Sequence, residues 1–475
     1  MSRVRAAAVA ATLLVGTAVG AGVPAPGERS TAAPAPVPVV GTSALCADVR
    51  GATLAGLAGE APAEVTARRL DGGAADPVPL AVAPSSAAEV PGEGAVQVRA
   101  AGEGAPGLSV QTSVLVDAGA VRGLATDLCA PAAPESWLVG GGTVVGESGV
   151  LLLANPDDED AVVDVTVLSA EGPVDERPGR GLGVPARGRL AVPLDELAPE
   201  RSRLALRVRA TTGRVAAAVR VERSDGVVPR GVDVAARTAL GEELVVPGLP
   251  AGPGARALVL ANPGDVPVRA RVEVTALDGQ FVPEGLDAVE VPAQSTAAVD
   301  LTGVLAATPA AVRVTADGPL AAAGTAEDAG EGDRRDTATW AAVPALAGPV
   351  LVPDVALGPV DPVLVLSALS GDAVAEVSVL PAEGGPAVAV PPRRVDVPGG
   401  RTVVVPVASL VPAGTAGRVA VQVAPDPVGS PLHAGLLLRA GPAEGPLLAG
   451  AALASGPREV PRPRVVRDPA VAVRP

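Results

Sequence analysis

The sequence predicts an all-β protein: tandem immunoglobulin- or fibronectin III-like β-sandwiches behind an N-terminal signal or anchor segment. Three observations carry this expectation. Apolar residues recur at period two, as at Ala161, Val163, Val165 and Val167, and again at Val272 and Val274 around Glu273, which is the pattern of a strand with one buried face. Gly and Pro supply 57 and 51 of the 475 residues and cut these segments short, while 48% of the chain is hydrophobic, too much for a disordered polymer. Blocks of sequence also recur in register about every 107 residues, the mark of a copied structural unit. No sustained helical period follows residue 23.

Residues 1–23 place Arg3 and Arg5 before an uncharged run from residue 6 to residue 23. This is an export signal, with Ala18, Gly20 and Gly22 as small residues for cleavage, or an uncleaved membrane anchor. No later segment reads as a membrane span, so membrane contact is expected through this segment alone. The implied address is extracellular or the cell envelope, with or without a tether to the plasma membrane. Residues 24–45 alternate Pro with small residues and read as a linker in extended polyproline II form.

Residues 46–136 begin at Cys46 and contain Cys129. Two cysteines in an exported chain are expected to form one disulfide. Closing a loop of 83 residues is worth at most about 4.5 kcal/mol through the entropy of the unfolded chain. Residues 109–131 resemble the later part of a repeat unit, so this region reads as a partial β-module whose disulfide makes up for a reduced core.

Three full units are expected at 137–243, 244–349 and 350–455. Residues 137–156 map onto 244–263 at an offset of 107, so the Asn155-Pro156 corner matches Asn262-Pro263; a further 106 places Ala368 where the Asn stood. Residues 184–194, 291–301 and 397–407 keep the same offsets. About seven short strands per unit suit a two-sheet antiparallel sandwich; two four-stranded propeller blades per unit are the alternative. The units are expected to follow one another as an elongated string. Residues 456–475, with Arg458, Arg462, Arg464, Arg467 and Arg474 among prolines, read as a tail.

The paired cysteines, the stretch Cys129-x-Pro131 to Trp137-x-x-Gly140-Gly141, and the LLLANP corner ending at Pro156 resemble an uncharacterised family of actinobacterial secreted proteins, labelled a domain of unknown function. The resemblance covers most of the mature chain. It implies a cell-envelope address and no activity, and the third unit departs from it by losing the Asn-Pro corner, with Ala368 in the Asn position.

Composition excludes much chemistry. A net charge of −15 and three aromatic residues, Trp137, Trp340 and Phe281, oppose nucleic-acid binding, which needs a basic face and stacking platforms. His433 is the single imidazole; it reads as a strand histidine rather than a member of a hydrolytic triad, and with two Cys it does not make a four-ligand zinc site. The four carboxylates Asp157, Asp158, Glu159 and Asp160 lack the spacing of a calcium loop and read as a solvated acidic turn. With 52 acids, paired carboxylates carry no signal for glycoside hydrolysis, and residues 140–142 precede a strand, unlike a phosphate-binding loop. Trp137 is expected in a core and Trp340 at a unit junction. The expected function is therefore a non-enzymatic envelope protein, a spacer or protein-interaction scaffold without cofactor or metal, whose partners are envelope proteins. Binding of cell-wall polymer or carbohydrate is the alternative.

Overall fold

The computed structural model describes residues 36–47, 51–73, 76–92, 94–119, 121–175, 177–331, 334–388 and 390–461. The expected signal or anchor segment, most of the expected linker and the tail beyond residue 461 lie outside them. The chain divides into two units, Met1–Pro38 with Glu459–Pro475, and Val39–Arg458. In the first, strand Pro36–Pro38 pairs antiparallel with Glu459–Pro461, Val37 opposite Val460.

The second unit consists of four sheet pairs. In the first pair, one sheet orders Gly41–Cys46, Val96–Ala101, Glu64–Arg69 and Val78–Leu80, and the other orders Ser86–Glu89, Ala52–Leu57, Leu108–Val116 and Gly123–Leu128. Counted along the chain, strands 1-6-3-4 face strands 5-2-7-8. The fourth pair repeats this order, with Val350–Leu357, Gly417–Pro425, Ala373–Pro381 and Arg393–Val397 against Arg401–Pro406, Asp361–Ala368, Leu432–Ala440 and Leu447–Leu453. The expectation of a partial module at 46–136 is thus corrected. The region has a full set of strands, and the first of them, Gly41–Cys46, starts inside the stretch expected to be linker. Its sequence has drifted while its strand order has not. An immunoglobulin domain sets its first strand beside its second, whereas here the first strand lies beside the sixth.

The second pair follows the same order. In the third, one 20-residue strand, Ala310–Ala329, serves both sheets: its first half pairs with Leu240–Leu249 and Val268–Ala276, its second with Arg256–Asn262 and Arg335–Ala341. The corresponding chain of the second pair is interrupted at Gly213, which has a φ of +74°, between Ala205–Thr212 and Ala216–Asp225. Each pair encloses its own core; in the first, Cys46, Val65 and Val98 of one sheet meet Leu57, Ala88 and Val110 of the other. With no Ile and almost no aromatics, Val, Leu and Ala fill these cores, each buried Val or Leu contributing about 1.5–3 kcal/mol.

The outward faces of several strands are apolar as well. In Leu432–Ala440 the first seven residues are all buried, so the sheet needs cover on both sides. The sheet pairs supply it for one another. Leu45, Leu70 and Ala95 of the first pair meet Leu152 and Ala216 of the second; Trp137 and Leu168 of the second meet Val259 and Ala323 of the third. Leu437 and Leu448 of the fourth enter the third beside Trp340, and Leu351 and Ala420 of the fourth meet Leu54 and Ala87 of the first. Contacts therefore run in a closed circuit. The expected string is replaced within this unit, because strands buried on both faces do not leave a sandwich independent. The last strands of the four pairs, Gly123–Leu128, Val228–Ala235, Arg335–Ala341 and Leu447–Leu453, meet at the centre. At the ends of the unit, Val39 N donates to Arg458 O at 2.8 Å.

Candidate functional site

The central strands carry polar side chains that a strand core normally excludes. Arg122, 3% exposed, immediately precedes the last strand of the first pair and donates to the carbonyls of Arg335, Gly445 and Pro446 in the third and fourth pairs. Asp336, fully buried, answers from the third pair: its carboxylate accepts Leu124 N at 3.2 Å, Leu448 N at 2.8 Å and Thr337 N at 3.0 Å. One side chain thus ties three sheet pairs. Burial pushes the Asp336 carboxyl up to about 8, against the lowering effect of those N–H groups and of Arg122. Gly231 makes room for it, since a Cβ there would stand 2.1 Å from Asp336 Oδ1. Asp233, 1% exposed, lies nearby; burial first, then the Asp336 charge, pushes its carboxyl well above the usual range.

Two further polar contacts cross the junctions. Gln111 Nε2 donates to Asp354 O at 3.0 Å while its Oε1 accepts Asp354 N at 2.9 Å, so the amide of the first pair bonds the fourth as a strand would. Arg256, fully buried in the third pair, ion-pairs Asp328, which also accepts Arg439 Nε of the fourth at 2.8 Å. Paired and hydrogen-bonded in this way, buried charges avoid most of their desolvation cost.

Beside the central strands lies a cavity of about 590 Å3, lined by residues of all four sheet pairs. Its walls are small side chains, such as Ala217, Ala342 and Ala451, and its polar lining includes Asp127, Glu135 and Arg237. Asp127 sits near the end of strand Gly123–Leu128. The adjacent Cys129 is held by the disulfide to Cys46, with Cα atoms 4.8 Å apart, and Leu45 N donates to Ala130 O at 2.9 Å, so the bridge fixes the segment that carries the carboxylate. Asp127 is 6% exposed, and among the described residues its side chain forms no hydrogen bond or ion pair. Burial alone pushes it up to about 6.

Arg237 belongs to the short strand Arg237–Thr238, which pairs with Trp137 and Leu138. Its neighbour Thr238 anchors the segment by donating to Ala322 O at 2.6 Å and accepting Ala342 N at 3.0 Å. Burial lowers the Arg237 guanidinium, and it too has no side-chain partner among the described residues. Glu135 is different: Arg207 Nη2 donates to it at 2.7 Å and Trp137 Nε1 at 3.3 Å, and the Arg207 bond chiefly holds its carboxyl below the usual range.

The residues singled out from sequence do not converge. Cys46 and Cys129 form the expected disulfide, and Cys129 alone of the two lines the cavity. Asn155 and Asn262 are fully buried and build the same corner twice. Asn155 Nδ2 donates to Glu159 O at 2.8 Å and Val184 O at 3.1 Å, and its Oδ1 accepts Asp157 N at 3.0 Å. Asn262 does likewise with Val266 O at 2.8 Å, Val291 O at 3.0 Å and Gly264 N at 2.9 Å. Pro156 and Pro263 follow these clamps outside both the cavity and the centre.

In the acidic turn, Asp157 faces Arg214 at 2.9 Å and Asp158 faces Arg187 at 2.6 Å. Among the described residues no group of three or more His, Cys, Asp or Glu side chains is placed to hold a metal ion. His433, 7% exposed, is lowered to about 4 by burial. Trp137 is buried against the third pair, and Trp340, fully buried, donates Nε1 to Leu436 O at 3.3 Å in the fourth. Sequence reasoning missed Arg122, Asp127, Arg237 and Asp336. One of them, Arg122, lies in the stretch 109–131 that resembles the later part of a repeat unit, where Arg122-Gly123 matches Arg230-Gly231.

Comparison with known proteins adds a family. The family of unknown function (DUF5719) matches residues 81–408, a span that includes Arg122, Asp127, Arg237 and Asp336. No curated protein matches the chain. Four solved chains match; one to which it is similar, the crystal structure of Thermotoga maritima 1070, is 17% identical, with 22% of this chain and 93% of that chain covered at a TM-score of 0.20.

Proposed function

This chain belongs to the family of unknown function DUF5719, and on that footing we propose that it is a non-enzymatic protein of the cell envelope that acts as an interaction scaffold. The observation that carries the reading is the use made of its buried polar side chains. Arg122, Asp336, Gln111, Arg256 and Asp328 bond backbone or side chains across or beside the sheet-pair junctions, which stiffens a platform and leaves those groups unavailable for reaction. A scaffold fits the closed circuit of contacts better than an extended spacer does. The export reading of residues 1–23 and the Cys46–Cys129 disulfide support an oxidising location. The polymer-binding alternative is less well supported, because Trp137 and Trp340 are buried and Phe281 is the exposed aromatic, whereas sugar faces call for open aromatic platforms.

Fractionating cells that express the full chain, with mass analysis of the product, tests the address. The reading expects the protein in the envelope or medium with the Cys46–Cys129 bridge intact. Recovery from the cytosol with free thiols would remove it. Purified cell wall that retained the protein through several washes, in preference to an acidic control protein, would favour the polymer alternative.

A further inference from the structure

The cavity walls present two opposite charges that the protein leaves unmatched. Asp127 is 6% exposed, lines the void, and its carboxylate has no partner among the described residues. Buried ionised groups are normally paired, because an unpaired one carries a steep desolvation cost. Arg237 lines the same void, also without a partner among the described residues. It is not ion-paired to Asp127. A molecule bearing a cation and an anion at separate ends satisfies both.

The volume, about 590 Å3, lies within the roughly 300–1,000 Å3 range of small-molecule sites, and is more than one amino acid fills. The alanine walls leave room for a main chain with small side chains, and Ser136 offers a hydroxyl for its amides. We propose that this cavity binds a short peptide with free termini, its ammonium group at Asp127 and its carboxylate at Arg237. A free amino acid shares the chemistry but spans less of the void.

Calorimetric titration of the oxidised full chain with Ala-Ala-Ala, its N-acetyl and C-amide forms, and alanine tests the proposal. Ala-Ala-Ala is expected to bind, and either N-acetylation or Asp127→Asn to weaken it about tenfold or more, as loss of a charge-assisted bond predicts. The two changes together should weaken binding no further than one. C-amidation and Arg237→Gln should form a second such pair. Asp127→Asn keeps the shape of the side chain, and unfolding curves identify any variant that fails to fold; the N-acetyl and C-amide arms need no variant. Absence of binding by Ala-Ala-Ala overturns the proposal, as does binding indifferent to Asp127→Asn. Alanine binding as tightly as the tripeptide overturns the peptide assignment, and indifference to Arg237→Gln overturns the placement of the carboxylate.

Discussion

Replacing Asp127 by Asn in the unliganded protein should stabilise it, and the gain should depend on pH. The residue is 6% exposed and its carboxyl lacks a partner among the described residues, so burial raises it from an ordinary value of 3.8 to about 6. A group whose folded value is raised keeps its proton in the folded state after the unfolded chain has released it. Stability from this group is therefore full below pH 3.8, falls as the pH rises from 3.8 to about 6, and stays low above that. At about 1.4 kcal/mol per tenfold change in proton affinity, the loss above pH 6 is about 3 kcal/mol. The Asn amide still needs desolvation, which leaves an expected net gain of about 1–3 kcal/mol at pH 7.5. Urea unfolding followed by tryptophan fluorescence measures it, since Trp137 and Trp340 are buried at two junctions. Wild type and variant should differ clearly at pH 7.5 and little at pH 4. A variant less stable than wild type at pH 7.5, or a gain of equal size at both pH values, would refute the argument that an uncompensated charge resides there.

Asn262→Ala removes three hydrogen bonds at a buried corner and should cost about 2–4 kcal/mol in urea unfolding; Asn155→Ala should match it, because the partners stand at the same sequence offsets. Gly450→Val places a Cβ 2.3 Å from the Trp340 ring. It should lower stability by about 1–3 kcal/mol and shift Trp340 emission to longer wavelength as the indole is displaced; unchanged emission would count against that contact.

What the sequence revealed and what it hid divide along a physical line. Period-two patterning, turn residues and the spacing of copied blocks are local, and they led to an all-β protein with antiparallel sheets. The disulfide followed from counting cysteines in a chain read as exported. The joining of the sheet pairs was not legible, since it depends on groups more than 200 residues apart, such as Gln111 with Asp354 or Arg122 with Arg335. Short polar residues among many others, Asp127 and Asp336 look like turn formers until a tertiary neighbour buries them. The strands buried on both faces gave a hint in their unbroken apolar runs, as at residues 434–438, but such runs do not say what covers the second face. The first sheet pair was underestimated for a related reason: strand order survives changes of sequence that erase block similarity.

The Val39–Arg458 hydrogen bond has a topological corollary. It brings the two ends of the four-sheet-pair unit side by side, the arrangement in which a chain tolerates being reopened elsewhere. Because these ends are neighbours, new termini cut into a surface turn of this unit, with Val39 and Arg458 joined by a short linker, would leave its interior undisturbed.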